Sequence, residues 1–321
     1  MITQTQTFNS NCGEAAWLSE RKENALKRFL SLKQPTRRDE AWRFANLKET
    51  DLSSFVAAPP VAHEATIIAR SHGLSEFSAK LIFANNRLLH CEKNNLPEGV
   101  IFTSLEEAER DHRELFEKYF MKNLARLGSE KFRALHEAQV QAGAFLYVPA
   151  GVVLEKPIEL WHWVEGEKAA VFPHTLLVCA EGSCASVIDR FCSVKEEPSL
   201  ACGVNDLKVE ADARLHYVAV QEWSRQTTAF HINSTEVSQN ATSTALQLNL
   251  GGRFVRAEND SRLLGEGARS VMLSINQAGA DQEIDQRTLQ DHIAPRATSD
   301  LLYHNALDDN ARTIFAGLIK V

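Results

Sequence analysis

Between Gly143 and Val321 the chain has no long stretch in which apolar residues recur every 3.6 positions. Short runs rich in β-branched and aromatic residues take their place, at 144–148, 157–164, 175–178, 185–191, 215–220, 244–250, 270–275 and 313–321. Leu246, Leu248 and Leu250 alternate with Gln247 and Asn249. That is the two-residue period of a half-buried strand. This half of the chain is predicted to be all-β. A weak repeat runs through it: a small polar turn and an alanine precede a strand at Ala185, Ala213, Ala268 and Ala311, and arginine follows the last three. Stacked coils that turn a corner where only a small side chain fits would give this pattern, so a parallel β-helix is expected. A β-sandwich with similar turns is the alternative.

The first 142 residues read differently. Residues 1–12 are polar and are expected to be disordered. Leu18, Ala25, Leu26, Phe29 and Leu30 then fall on one helical face, and Pro35 ends the helix. A second short helical stretch is expected around 39–44, and Phe55 to Pro60 reads as a linker. Two apolar runs flank Asn85-Asn86, a pair that tolerates positive φ, which predicts a tight hairpin; Val100-Ile101-Phe102 is expected to add a third strand. Ser104 and Glu107 form a capping box, opening a helix that carries Ala108, Leu115, Phe116, Tyr119 and Phe120. Phe132, Leu135 and Ala138 mark another helix. Three units follow: a helical region over 1–58, a small mixed α/β segment over 59–142, and the β core over 143–321.

Charge excludes one class of function. The chain has 35 Lys and Arg against 42 Asp and Glu, a net of −7. Proteins that bind by neutralising phosphates are usually basic, so nucleic-acid binding is disfavoured. Residues 1–50 carry +3 and the remainder −10, a basic piece on an acidic body. The longest nearly apolar run, Ala144 to Leu154, contains Pro149 and Gly151 and is far shorter than the roughly 20 residues of a spanning helix. The N-terminus lacks the basic start and apolar run of a secretory signal, so a cytoplasmic location is expected.

The chemistry-bearing residues are scattered. Cys179, Cys184, Cys192 and Cys202 are spaced C-x4-C-x7-C-x9-C, without the close C-x2-C pair of zinc and iron–sulfur loops. They read as core or incidental residues rather than ligands. His162, His174 and His216 stand singly. His292 and His304 lie near Asp285, Asp291 and Asp300, a set of the right types for a divalent metal; solvated turn and strand-end residues are the favoured reading. Gly251-Gly252 and Gly265-Glu266-Gly267 lack the Lys-Ser/Thr of a phosphate loop, and no G-x-S-x-G occurs. Lys27-Arg28 and Arg37-Arg38 read as a solvated basic face, and Trp42-Arg43 as a local core anchor or a partner hot spot. No catalytic, cofactor or metal residue is assigned.

A family resemblance attaches to particular residues. Glu40-Ala41-Trp42-Arg43 with Asn46-Leu47 resembles the E-x-W-R-x-x-x-L element near the N-terminus of the SufD branch of the SufB/SufD family, the scaffold subunits of SUF iron–sulfur cluster assembly. Residues 132–138, 143–149 and 155–158 are similar to the segment that opens that family's β core. Arg256, residues 264–268, Asp285, residues 292–295 with Ser299, Leu302-Tyr303, 307–312 and 315–321 resemble the core shared by SufB and SufD. The resemblance runs from about residue 17 to the end. Residues 274–277 depart from it, since the family more often has glycine and aromatic residues there.

The resemblance implies a right-handed parallel β-helix behind a helical N-terminal domain. It implies a non-catalytic scaffold that pairs with a SufB-like subunit and a SufC-type ATPase, with an iron–sulfur cluster held only transiently by the assembled complex. The family's assembly histidine and ATPase-binding tail lie downstream of the segment matching 315–321, so neither is carried over, and His292 is not that histidine. A shortened subunit is therefore expected, or one whose open β-helix end is capped by another chain or by self-association. The competing reading is an all-β enzyme, either a carbohydrate-active β-helix or a metal-dependent barrel.

Overall fold

The computed structural model describes residues 16–321, so the expected disorder at 1–12 lies outside the described residues. Helix α1 (Ala16–Ser31) ends before Pro35 as its periodicity predicts, burying Ala25 and Phe29. The stretch around 39–44 is a single 3₁₀ turn at Glu40–Trp42, followed by another at Leu47–Thr50. The linker is partly ordered: β1 (Val56–Ala57) pairs in parallel with a core strand. After α2 (Glu64–Arg70) comes the hairpin of β2 (Ala79–Ala84) and β3 (Arg87–Lys93). Asn85 and Asn86 turn it at φ 46° and 61°, the left-handed values their side chains tolerate.

Strand β4 (Ile101–Ser104) does not join that hairpin; it pairs antiparallel with the first core strand, in the other sheet. The Ser104–Glu107 capping box is present. The helix it opens breaks at His112, giving α3 (Leu105–Asp111) and α4 (Arg113–Tyr119). α5 (Glu130–Gln139) then leads into the core.

The core strands are β5 (Ala144–Val148), β6 (Ile158–Val164), β7 (Ala169–Val171), β8 (His174–Cys179), β9 (Cys184–Ser193) and β10 (Ser199–Val209). They continue as β11 (Arg214–Glu222), β12 (Thr227–Val237), β13 (Thr242–Asn249), β14 (Phe254–Leu263), β15 (Arg269–Ala278), β16 (Glu283–His292), β17 (Thr298–Leu307) and β18 (Arg312–Lys320). From β8 onward they alternate between two sheets. Sheet A runs β18-β16-β14-β12-β10-β8-β5-β4 and sheet B runs β17-β15-β13-β11-β9-β6-β2-β3, and every core-to-core pairing is parallel. The result is a β-solenoid of about six turns, not a sandwich of hairpins.

One corner of each turn is built from the same two positions. Gly182, Asp212, Asn240, Gly267 and Arg296 all have positive φ, between 54° and 71°. The amides of the first three reach along the axis; Gly182 N donates to Ala211 O at 2.8 Å, Asp212 N to Gln239 O at 2.8 Å and Asn240 N to Glu266 O at 2.9 Å. The next residue, Ser183, Ala213, Ala241, Ala268 or Ala297, fills the inside of the bend. The expected repeat was therefore half seen. Ala213 and Ala268 belong to this column, but Ala185 sits inside β9 opposite Leu215, and Ala311 precedes β18 at the opposite corner.

The solenoid interior is apolar in its early turns, with Leu160, Leu177, Val187 and Leu215 fully or almost fully buried. A second core lies outside sheet A, where α1, α4, α5 and the 3₁₀ turns cover it. There the Phe132 and Phe230 rings stack at 3.8 Å.

Candidate functional site

The 3₁₀ turn at Glu40–Trp42 is the point where the N-terminal layer locks onto the solenoid. Trp42 is buried and donates from Nε1 to Gly128 O at 2.8 Å. The guanidinium of Arg256, from the first half of β14, lies over that indole. Arg256 is fully buried and spends its donors on Ala41 O (2.7 Å), Leu127 O (2.8 Å), Glu258 Oε1 (2.9 Å) and Asp285 Oδ2 (2.5 Å). Arg287 bonds the other oxygen of Asp285 at 2.8 Å. Close by, Arg126 bridges Asp260 (3.3 Å) and Asp291 (2.5 Å). Burial pushes Asp260 up to about 6 despite the Arg126 and Arg262 charges, and burial also raises Glu258. Each acid on this face is thus matched by a guanidinium under the helical layer. An open groove of about 870 Å³, lined by Leu32, Pro35, Trp42 and Lys131, runs alongside.

Inside the solenoid a polar column replaces the apolar core. Asp189 is fully buried and accepts from Thr175 Oγ1 at 2.7 Å and Tyr217 OH at 2.8 Å. His162 Nε2 lies 3.3 Å from its other oxygen, with the imidazole stacked between Phe83 and Phe191. The chain of bonds continues from Asn205 to Asn233 (2.8 Å), Asn233 to Asn259 (3.0 Å) and Asn259 to Tyr303 OH (3.0 Å). Parallel in-register strands stack like residues, so amides ladder along the axis. The cavity enclosed beside Asn259, Gln247 and Tyr303 is about 20 Å³. Small-molecule pockets run from roughly 300 Å³ upward, so this interior admits no organic substrate.

The structure disperses the residues that the sequence brought forward. Cys179, Cys192 and Cys202 are buried, and Cys184 is half-buried. Burial pushes the Cys179 thiol up to about 12 and raises Cys192 and Cys202 as well, so they stay protonated and inert. His174 shares a buried contact with His136 (Nδ1 to Nε2, 3.1 Å), and His136 Nδ1 faces Cys202 O at 2.7 Å. Burial drives His174 down to about 3 and His136 well below its ordinary value.

His216 and His304 lie on the outer face of sheet B, and His292 Nε2 meets Ser299 Oγ at 2.8 Å. Asp285 and Asp291 are bound by arginines, while Asp300 is exposed. Among the described residues no three His, Cys, Asp or Glu side chains converge as metal ligands. Lys27, Arg37, Arg38 and Arg43 are exposed and Arg28 is half-buried, while Trp42 is a core anchor. Gly251-Gly252 lie in the irregular link between β13 and β14, and Gly265–Gly267 form a turn. Residues 274–277 lie within β15 and make no turn. Sequence reasoning missed Arg256 as the centre of an ion cluster, along with Asp189 and the asparagine column. The recurrence of Asn205, Asn233 and Asn259 at one-turn spacing was the available signal.

The molecule is thus a β-solenoid with a helical layer fastened to one sheet by arginine–carboxylate pairs. Comparison with known proteins specifies which. Residues 4–160 match the SufBD protein N-terminal region, and residues 162–321 match the SufBD core domain of SUF system FeS cluster assembly. The chain belongs to the SufBD family. Iron–sulfur cluster assembly SufBD family proteins of Staphylococcus saprophyticus and Staphylococcus haemolyticus are 26% and 27% identical over 246 residues, 76% of this chain and 52% of theirs. One of Staphylococcus aureus is 27% identical over the same extent. The chain spans about half the length of the curated relatives it matches. No helix among the described residues is long and apolar enough to cross a membrane.

Proposed function

We propose that this chain is a SufD-like, non-catalytic scaffold subunit of cytoplasmic SUF-type iron–sulfur cluster assembly. In this reading it pairs with a SufB-like subunit and a SufC-type ATPase that supplies turnover, and the cluster is cargo of the assembled complex. Membership of the family over both the N-terminal region and the core carries the reading. The N-terminal Glu40–Arg43 element favours the SufD branch, and its Trp42 is a built part of the fold. The thiols that a resident cluster would need are spread over the core, and three of them are held protonated by burial.

The enzyme alternative requires accessible carboxylates. Those of sheet A are paired with Arg256, Arg287 and Arg126 beneath the helical layer. Affinity purification of the protein as its own cell makes it, read by mass spectrometry, tests the proposal. Recovery of a SufB-like protein and a SufC-type ATPase is expected; recovery of neither overturns it.

A further inference from the structure

Between α5 and sheet A lies a cluster of polar side chains whose bonding is incomplete. Arg133 of α5 is 1% exposed, and His174 of β8 and Asp206 of β10 are 0% exposed. In the parallel register His174 stands beside Val204, and Asp206 beside Leu176. Val204 and Leu176 belong to the core outside sheet A, so His174 and Asp206 also point at the helical layer. Asp206 Oδ1 accepts from Asn123 Nδ2 at 3.1 Å. Its Oδ2 lies 3.9 Å from Arg133 Nη2, too far for a hydrogen bond. Arg133 Nη1 and Nη2, Asp206 Oδ2 and His174 Nε2 are all buried, with no hydrogen-bond partner among the described residues. Native interiors rarely leave such groups unmet, and four in one place point to a bound molecule.

The neighbours of the cluster fix its hydrogens. A carbonyl only accepts, so His136 Nδ1, 2.7 Å from Cys202 O, carries the proton. Burial keeps His136 neutral, so its Nε2 is a lone pair and accepts from His174 Nδ1 at 3.1 Å. Burial and the Arg133 charge keep His174 neutral as well, which leaves its Nε2 bare. The cluster therefore offers two acceptors, His174 Nε2 and Asp206 Oδ2, and N–H donors from both arms of Arg133. Its charge is already balanced, since Arg133 stands against Asp206, and Arg21 against Glu137 at 2.6 Å. An anion would meet a carboxylate oxygen and a lone pair, and a cation would meet a guanidinium. A small neutral molecule that both donates and accepts satisfies every group. We propose that Arg133, His174 and Asp206 bind a buried water molecule, which donates to His174 Nε2 and Asp206 Oδ2 and accepts from Arg133. Three such bonds are typical of a buried water. The water ties one helix to two strands of sheet A, so the Arg133–Asp206 pair is bridged rather than direct. The site is independent of the proposed iron–sulfur role.

A neutron crystal structure of the full natural protein, exchanged into heavy water, tests it. One water oxygen is expected within about 3.2 Å of an Arg133 Nη, of Asp206 Oδ2 and of His174 Nε2, with its deuterons aimed at the last two. Deuterium on His174 Nε2 overturns the proposal. So does an ion at that position, or Arg133 and Asp206 closed into a direct bond with no water between them. Oxygen-17 relaxation dispersion, which counts long-lived internal waters, reads the same site in solution. Arg133→Met with Asp206→Leu removes both charges and fills the space with apolar atoms, an exchange that buried ion pairs often tolerate. With circular dichroism showing an intact fold, this double variant should lose at least one long-lived water relative to the wild type. An unchanged count overturns the proposal. The neutron structure needs no variant and decides alone if the double variant fails to fold.

Discussion

The guanidinium carbon of Arg256 lies 4.0 Å from the centre of the Trp42 ring, joining residues 214 positions apart in the chain. It is one of several polar fastenings between the helical layer and the solenoid, alongside Arg126 with Asp260 and Ser129 with Glu258. Arg256→Ala leaves buried Glu258 without a cation and Asp285 with Arg287 alone, and removing one partner of a buried ion pair costs about 3–5 kcal/mol. Trp42→Phe keeps most of the apolar contact and loses the bond to Gly128 O, at about 1 kcal/mol. Urea denaturation of the two variants should preserve that order. Equal losses would mean that packing, not the ion cluster, holds the layer.

The asparagine column makes a second demand. Asn233→Ala removes the link between Asn205 and Asn259, leaving Asn205 Nδ2 its bond to Tyr217 OH and Asn259 Oδ1 its bond from Gln247. A loss of about 1–3 kcal/mol is expected from the two lost hydrogen bonds. Ala219→Ser, at an inward position of β11 outside the column, should cost less. Hydrogen exchange would place the added opening of Asn233→Ala in β12 to β14, not in the helical layer.

Acid should destabilise the fold through buried histidines. Burial lowers His174 to about 3 and His231 to about 4, against 6.5 when unfolded, and lowers His136 as well. Below pH 6.5 the unfolded chain therefore binds protons that the native chain refuses, and stability falls as pH falls. Each such group contributes a slope of up to about 1.4 kcal/mol per pH unit until its folded value is reached. Asp260, raised to about 6, acts in the opposite sense between pH 6 and 3.8. His231→Gln can still accept from Trp223 Nε1 but no longer titrates. Its stability measured from pH 7.5 to 5 should decline less steeply than the wild type by about one proton; an unchanged slope would refute the assignment.

The corner column predicts a stabilising change. Arg296 holds φ +57°, where only glycine is relaxed, and its side chain is exposed. Arg296→Gly should raise stability by up to about 1 kcal/mol. Gly182→Val, at the equivalent position with φ +66°, should lower it by at least that much. Melting curves of the two suffice.

Thiol reactivity should follow burial. Among the described cysteines, Cys91 is exposed and should be modified first by a maleimide, with half-buried Cys184 slower. Cys179, Cys192 and Cys202 should react only after unfolding. Peptide mapping of the native protein after brief labelling reads this directly.

Much of the architecture was legible in advance. The helices at 16–31 and 130–139, the Asn85-Asn86 hairpin and the Ser104 cap follow from local spacing, and so do eight of the core strands. The strands that escaped are three-residue β7, which is apolar, and β10, β12, β14, β16 and β17, which are rich in polar residues. Four of the polar ones are the covered strands of sheet A, where Asp206, Arg256, Glu258 and Asp285 are buried because partners from the 121–137 segment and from adjacent turns reach them. No local window contains those partners, so a buried ionic strand reads as an exposed loop. The ion cluster went unseen for the same reason.

The alternation at Leu246 to Leu250 marks where sequence and tertiary structure divide. The sequence alone determined that this segment is a strand, because the pleat repeats every two residues whatever surrounds it. It could not determine which set of side chains lies inside. In the fold Gln247 and Asn249 face the interior, bonded to Asn259 (2.6 Å) and Asn276 (2.7 Å), and the leucines face outward. A two-residue period is unchanged when its faces are exchanged. Only the stacking of neighbouring turns, which supplied amides to the amides, fixed which face went in.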